Sequence, residues 1–131
     1  MIVVDASVLA NVVGDDGPDG KRARQEFRAA GDVAAPDLVD VETVAVLRKR
    51  WLRKSISAVR FAAAIGDLED LTIDRYPALR LMRRAYELRE TVTAYDAAYV
   101  ALAESLGCQL LTSDQRLSRA RGLQCPIRLL R

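Results

Sequence analysis

The 131-residue chain contains no histidine. That absence removes the Ser-His-Asp and Cys-His constellations, every histidine-based zinc site, and the imidazole that most often carries acid–base work. Only three of its 20 basic residues are lysine, namely Lys21, Lys49 and Lys54. All three stand in charged, helical surroundings, so a desolvated lysine nucleophile is not expected. The two cysteines, Cys108 and Cys125, lie near predicted strands without metal-type spacing and read as reduced, buried thiols that need no pairing. No apolar run approaches the roughly 20 residues that span a bilayer, and Met1-Ile2-Val3-Val4-Asp5 has neither a basic leader nor a small-residue cleavage site. The expected location is cytoplasmic. The formal net charge is +2 despite the surplus of arginine, so any footprint for a polyanion must be local. Catalysis, if there is any, runs on carboxylates.

Half of the residues are apolar, enough for one compact domain spanning residues 1–131. Ile2-Val3-Val4 reads as a strand buried on both faces, as in a central parallel sheet. Asp5 ends it, and Val8, Leu9, Val12 and Val13 then follow at helical spacing up to Gly14. Residues 15–20 read as a loop, 21–30 as a polar helix and 33–35 as a short strand. Asp37 is placed like the N-cap, and Asp40 like the acidic partner of a capping box, for a long helix running to about Lys54. Ser57 caps a helix over 58–68, and Leu71-Thr72-Ile73-Asp74 reads as a strand. Helices are predicted over 78–89 and 94–106, the second opened by Thr93 and closed by Gly107. Gln109 to Thr112 is the second convincing buried strand; a short basic helix to Arg121 and a last strand over 127–130 complete the chain. This alternation predicts an α/β fold of three layers, a mostly parallel sheet of about four or five strands with helices on both faces.

In open α/β sheets chemistry collects at the carboxyl ends of strands. Asp5 and Asp114 each follow a buried strand there, although each also suits the N-cap of the next helix. Asp96 falls in the first turn of its helix, behind Thr93, where an acid can complete a capping box; its face is shared with Tyr99, Val100 and Ala103, which turns it toward the core side. Glu42 lies early in its helix on the shoulder of the apolar stripe, and reads equally as a half-exposed helix glutamate. Gathering four such acids is costly: at about 5 Å and an effective dielectric near 20, each pair repels by about 3 kcal/mol. Without histidine, a gathered set implies a hard divalent cation, Mg²⁺ or Mn²⁺ rather than zinc.

Four segments, Val4-Asp5-Ala6-Ser7, Val41-Glu42, Thr93-Ala94-Tyr95-Asp96-Ala97-Ala98-Tyr99 and Leu111-Thr112-Ser113-Asp114, taken together resemble the PIN-domain family. More narrowly they resemble the VapC toxins of bacterial type II toxin–antitoxin pairs. The resemblance runs along the whole chain. It implies an endoribonuclease dependent on Mg²⁺ or Mn²⁺, with Asp5, Glu42, Asp96 and Asp114 as the catalytic acids. Asp5, Asp96 and Asp114 would hold the metal, and Glu42 would serve as a further ligand or as the base that orients the attacking water. Ser7 and Thr112 match the supporting hydroxyl positions. It further implies a homodimer and a small antitoxin that brings a basic side chain to the acids. One departure is that Gln115, Arg116 and Leu117 follow the last aspartate where some relatives carry another acid.

Two basic runs stand apart from the acids. Arg48, Lys49 and Arg50 flank Trp51 and suggest RNA contact through phosphates and stacking, or else a solvated helix end with Trp51 in the core. Arg80, Arg83, Arg84 and Arg89 form a second candidate patch. Rival readings are an aspartate-nucleophile phosphatase, disfavoured because Ser7 stands where a second carboxylate is generally needed, a non-catalytic binding module of the same fold, and an RNA-processing nuclease that is not a toxin.

Overall fold

Ile2–Val4, all buried, form β1 at the centre of a five-stranded sheet in the computed structural model, which describes residues 1–131. The other strands are β2 (Val33–Pro36), β3 (Asp74–Tyr76), β4 (Leu110–Thr112) and β5 (Ile127–Leu129). The order is β3-β2-β1-β4-β5 and every pairing is parallel, with Val3 opposite both Ala34 and Leu110. Seven helices join the strands: α1 (Ala6–Gly14), α2 (Pro18–Ala29), α3 (Val39–Leu52), α4 (Ala58–Asp70), α5 (Met82–Glu87), α6 (Ala94–Leu106) and α7 (Gln115–Ser118), with a 3₁₀ turn over Ala78–Leu81.

Right-handed crossovers dictate the layers. From β1 through β2 to β3 the chain moves one way, so α1 to α4 pack together on one face; it then crosses back to β4, which puts α5 and α6 on the other. The switch falls between β1 and β4, where an open α/β sheet offers its crevice. Helix α6 lies across β1, β2 and β4 and is buried without interruption from Ala97 to Ala103. Four of those seven residues are alanine, which lets its backbone approach the sheet closely. No helix is long and apolar enough to cross a membrane.

The predicted three-layer α/β/α fold is what the chain adopts, with local corrections. The loop expected over 15–20 ends early: Pro18 starts α2 at its first position, and Asp15 Oδ1 accepts from the amides of Gly17 (2.8 Å) and Gly20 (3.1 Å). Any Cβ on Gly20 would fall 1.8 Å from the Asp15 carbonyl oxygen, so glycine is required there. Asp37 and Asp40 do not cap α3, whose first flanking residue is Leu38. Asp37 instead accepts from Ala78 N (3.1 Å), and Asp40 grips Arg75 through two contacts of 2.7 and 2.9 Å. The strand expected over 71–74 is shifted to Asp74–Tyr76, and the helix expected over 78–89 divides into the 3₁₀ turn and α5. Helix α7 stops at Ser118, short of Arg121. Cys108 and Cys125 are free thiols, and burial raises Cys125 to about 11.

Candidate active site

Asp5 occupies the first position after β1 and is only 7% exposed. It caps α1 by accepting from Val8 N (3.2 Å). The same Oδ1 accepts from the Ser7 hydroxyl at 2.5 Å, and Oδ2 accepts from the Thr112 hydroxyl. Each hydroxyl in turn accepts from the loop after β4: Ser113 N reaches Ser7 Oγ (3.1 Å) and Asp114 N reaches Thr112 Oγ1 (3.0 Å). The hydroxyls therefore relay the β4–α7 backbone to both oxygens of Asp5 and point their protons at it. Burial raises the Asp5 carboxyl above its ordinary value, Asp96 adds repulsion, and the hydrogen bonds from Ser7, Thr112 and Val8 oppose them.

Glu42 borders the buried stripe of α3 formed by Val39, Thr43 and Leu47. Its Oε1 accepts from the Tyr99 hydroxyl at 2.6 Å. Burial raises the Glu42 carboxyl, with Asp96 and Asp5 adding to the effect against the pull of Tyr99. The Tyr99 hydroxyl is itself pushed far upward by burial and by Glu42, so it stays a donor throughout the range in which proteins are folded.

Thr93 caps α6 by accepting from Asp96 N (3.1 Å), which sets Asp96 half-buried at the head of the buried helix. Burial raises its carboxyl and Asp114 reinforces the rise. Asp114 behaves oppositely. It caps α7 through Arg116 N (2.9 Å), and the Arg116 guanidinium lies against both its oxygens at 3.3 and 3.2 Å, which lowers its carboxyl despite some burial.

The four predicted acids thus share the carboxyl edge of the sheet, and Asp96 interacts electrostatically with each of the other three. Asp96 and Asp114 line one hollow of about 170 Å³ together with Thr91, Thr93 and Arg116. A larger hollow of about 400 Å³, between α1, α2 and α4, is lined by Val12, Val13, Phe27 and Leu71 and contains none of the four. An open edge rather than a deep pocket suits a polymeric substrate. The donor set is all oxygen, the chemistry of Mg²⁺ or Mn²⁺. No three acids or thiols converge into a ready cage, so a cation held at this edge would keep part of its water shell, as Mg²⁺ ordinarily does.

A PIN-domain family model matches residues 2–123. The chain belongs to the PIN-domain family. It is 42% identical over 127 residues to ribonuclease VapC9 of Mycobacterium tuberculosis, covering 97% of this chain and 96% of that protein. Ribonuclease VapC1 of the same organism is 39% identical over 130 residues, covering 98% and 97%. Among solved structures, the M. tuberculosis VapC20 toxin, described as cleaving the sarcin–ricin loop, superposes with a TM-score of 0.71 over 91% of this chain and 94% of that one; at 18% identity it speaks for the shared PIN fold alone.

Two residues of this PIN edge escaped the sequence reading. Tyr99 appeared only as a face neighbour of Asp96, yet it is the donor to Glu42, 57 residues away. Arg116 appeared only as a missing acid, yet it covers Asp114. The basic run also divides. Arg48 and Lys49 are exposed, whereas Arg50 is turned onto α1, giving Nη2 to Asn11 Oδ1 (2.6 Å) and Nη1 to Ala10 O (3.4 Å). Trp51 is 43% exposed and leans on Phe61, with ring centroids 6.5 Å apart, in an open apolar groove with Ala58, Ala62 and Ile65. In the second patch Arg84 is bound to Glu104 and Arg89 stacks on Tyr86 at 4.1 Å.

Proposed function

We propose that this chain is an endoribonuclease dependent on Mg²⁺ or Mn²⁺ and serves as the toxin of a toxin–antitoxin pair. The observation that carries the reading is the acid edge itself: Asp96 interacts with three further carboxylates, two of which are raised by burial and neither of which has a cationic partner. An uncompensated group of this kind is unfavourable unless a cation serves it. The VapC relatives, named as ribonucleases and matched over nearly their whole length, support the choice of RNA.

Asp5, Asp96 and Asp114 would hold the cation, directly or through its waters, with Glu42 available as a fourth. When bound, the cation would lower the pKa of a water and stabilise the charge that develops on a phosphodiester. Ser7 and Thr112 hold both oxygens of Asp5 in place and favour its ionised form against the effect of burial. Tyr99 holds one oxygen of Glu42, leaving the other to orient the attacking water and receive its proton. Asp114 can contribute fully once Arg116 turns aside.

An antitoxin would complete the system, bringing an arginine or lysine to the acids and packing apolar side chains on the groove around Trp51 and Phe61. A homodimer and a cytoplasmic location belong to the same reading. The test is cleavage of total RNA by purified protein with Mg²⁺ or Mn²⁺. Cutting that chelation abolishes and Asp96→Asn prevents is the expected result. A folded protein that leaves RNA intact under all these conditions would be a non-catalytic module. Growth arrest on expression alone, relieved by co-expressing a neighbouring small gene, is expected of a toxin; harmless expression with cutting intact would leave a processing nuclease.

A further inference from the structure

A second cavity opens at Ser113, whose amide donates to the Ser7 hydroxyl that in turn holds Asp5. It holds about 130 Å³ and is lined by Asn11, Asp19, Arg22, Ser113, Leu130 and Arg131. Three separate anchors assemble it. Leu130 N donates to Thr112 O (2.8 Å), continuing the β4–β5 pairing past Leu129, and this brings Arg131 to the same hollow as Ser113. Arg24 secures α2 by donating to the carbonyls of Asp15 (2.8 Å) and Val12 (3.2 Å) behind α1, which brings Arg22 to the same wall. Asn11 lies one helical turn beyond Ser7, and Arg50 Nη2 donates to its Oδ1 (2.6 Å), so the amide group it has left to present is a donor.

Most of the arginines near this edge are engaged: Arg24 and Arg50 on α1, Arg60 on Asp16, Arg116 on Asp114 and Arg128 on Glu26. Arg22 and Arg131 take part in none of the chain's ion pairs or side-chain hydrogen bonds. Two unpaired guanidinium groups, with Asp19 as the one acidic side chain among the lining residues, therefore stand next to an edge that gathers four acids. A polyanion crossing the acids needs such a neighbour, because every phosphate not neutralised at the reaction centre is repelled by it.

We infer that Arg22, Arg131, the Asn11 amide and Ser113 form a subsite for a phosphodiester flanking the scissile one. The inference rests on the ribonuclease reading and deepens it by giving the strand a path, from the Thr91–Thr93 side past Asp114 and Ser113 to Arg22. It also assigns Arg50 an indirect part: it is a positioning residue that orients Asn11, whereas Arg48 and Lys49 remain free for phosphates further along α3.

The experiment uses a short RNA spanning a mapped cut, together with versions carrying one neutral methylphosphonate at each position near the cut. In the wild-type protein, neutralising one flanking phosphate should raise KM by roughly tenfold, the scale of a charge-assisted contact. In the Arg22→Gln/Arg131→Gln variant, KM on unmodified RNA should already be raised, the salt dependence of binding should flatten by about 0.7 per lost contact, and the same methylphosphonate should add little. Its melting temperature should match wild type, since neither arginine supports the fold. A variant whose methylphosphonate profile superimposes on the wild-type one, or whose KM is unchanged, overturns the subsite while leaving the nuclease in place. Wild-type protein that cuts no RNA with either metal overturns the ribonuclease reading and the subsite with it.

Discussion

Asp5 and Asp114 follow adjacent parallel strands, cap the helices after them, and differ in almost every other physical respect. Asp5 is buried and held by two neutral hydroxyls, so its negative charge is oriented but not neutralised, and its carboxyl is raised. Asp114 lies at the lip, where Arg116 neutralises it and its carboxyl is lowered. Glu42 belongs with the inner acid, because Tyr99 fixes it without supplying charge. Asp96 spans the two halves. On the proposed reading the inner half lacks a cation of its own, whereas the outer half carries one, Arg116, that an incoming divalent ion would have to displace.

The largest expected effect separates orientation from repulsion. Asp5→Asn and Asp96→Asn should each reduce cleavage by more than the roughly 100-fold typical of losing a mere supporting group. Their effects on the metal-free fold should diverge. At Asp5 the new NH₂ would face a hydroxyl proton from Ser7 or Thr112, leaving a buried donor unpaired, at a cost of about 1–3 kcal/mol. Asp96 feels burial and the repulsion of Asp114 against one hydrogen bond with the exposed Thr93, so Asp96→Asn relieves more than it breaks and should leave stability unchanged or raise it. Urea unfolding of both variants with chelator present checks this. Equal destabilisation would mean that the two acids serve the fold in the same way.

The positions of Asp5, Asp96 and Asp114 are legible in the sequence because each follows a local pattern, an apolar run followed by an aspartate or a Thr-x-x-Asp helix start, whereas Glu42 has only its place beside an apolar stripe. Partners at long range are not legible. Asp40 completes the spacing of a capping box, yet it pairs with Arg75, 35 residues on, because β3 brings that arginine alongside, and a charge-assisted double contact outweighs a local cap. Edge strand β3 carries little burial signal, since Asp74 and Arg75 are exposed, so its position was misjudged although Ile73 just before it is buried. Tyr99 sits in an otherwise apolar helix face, where a buried aromatic is read as core until its hydroxyl finds Glu42.

Compensated pairs can be compared by burial alone. Arg84 and Glu104 form such a pair at 2.8 and 3.1 Å, more enclosed than Arg116–Asp114, and Gln124 N adds a third contact to Glu104 at 2.6 Å. Burial pushes the Glu104 carboxyl up, but Arg84 and the Gln124 amide together bring it below its ordinary 4.5. A carboxyl lowered by folding contributes stability that is complete above its unfolded value and is lost as pH falls through the folded one. Glu104→Gln should therefore cost roughly 1–2 kcal/mol at neutral pH and flatten the loss of stability below pH 4.5. Melting curves between neutral and strongly acidic pH measure it. An acid limb of unchanged slope would mean that the pair ties α5, α6 and the loop before β5 together without contributing to acid sensitivity.

The smallest expected effect lies at the lip. Arg116 is 90% exposed, and an exposed ion pair contributes little because water screens it and the side chain loses freedom in making it. It nevertheless stands against both oxygens of the one outer acid, so its hold on Asp114 competes directly with an incoming divalent ion. Arg116→Gln should tighten Mn²⁺ binding by about two- to fivefold, measured by calorimetry without RNA, and the difference should vanish at high salt, where the pair is screened. The variant should bind RNA more weakly once metal is present, because a guanidinium turned away from Asp114 is placed to meet a phosphate. If metal affinity is unchanged, Arg116 only covers the lip, and the two halves of the edge differ in burial but not in readiness for a cation. If metal affinity rises while RNA affinity is unmoved, the arginine guards Asp114 and has no second task.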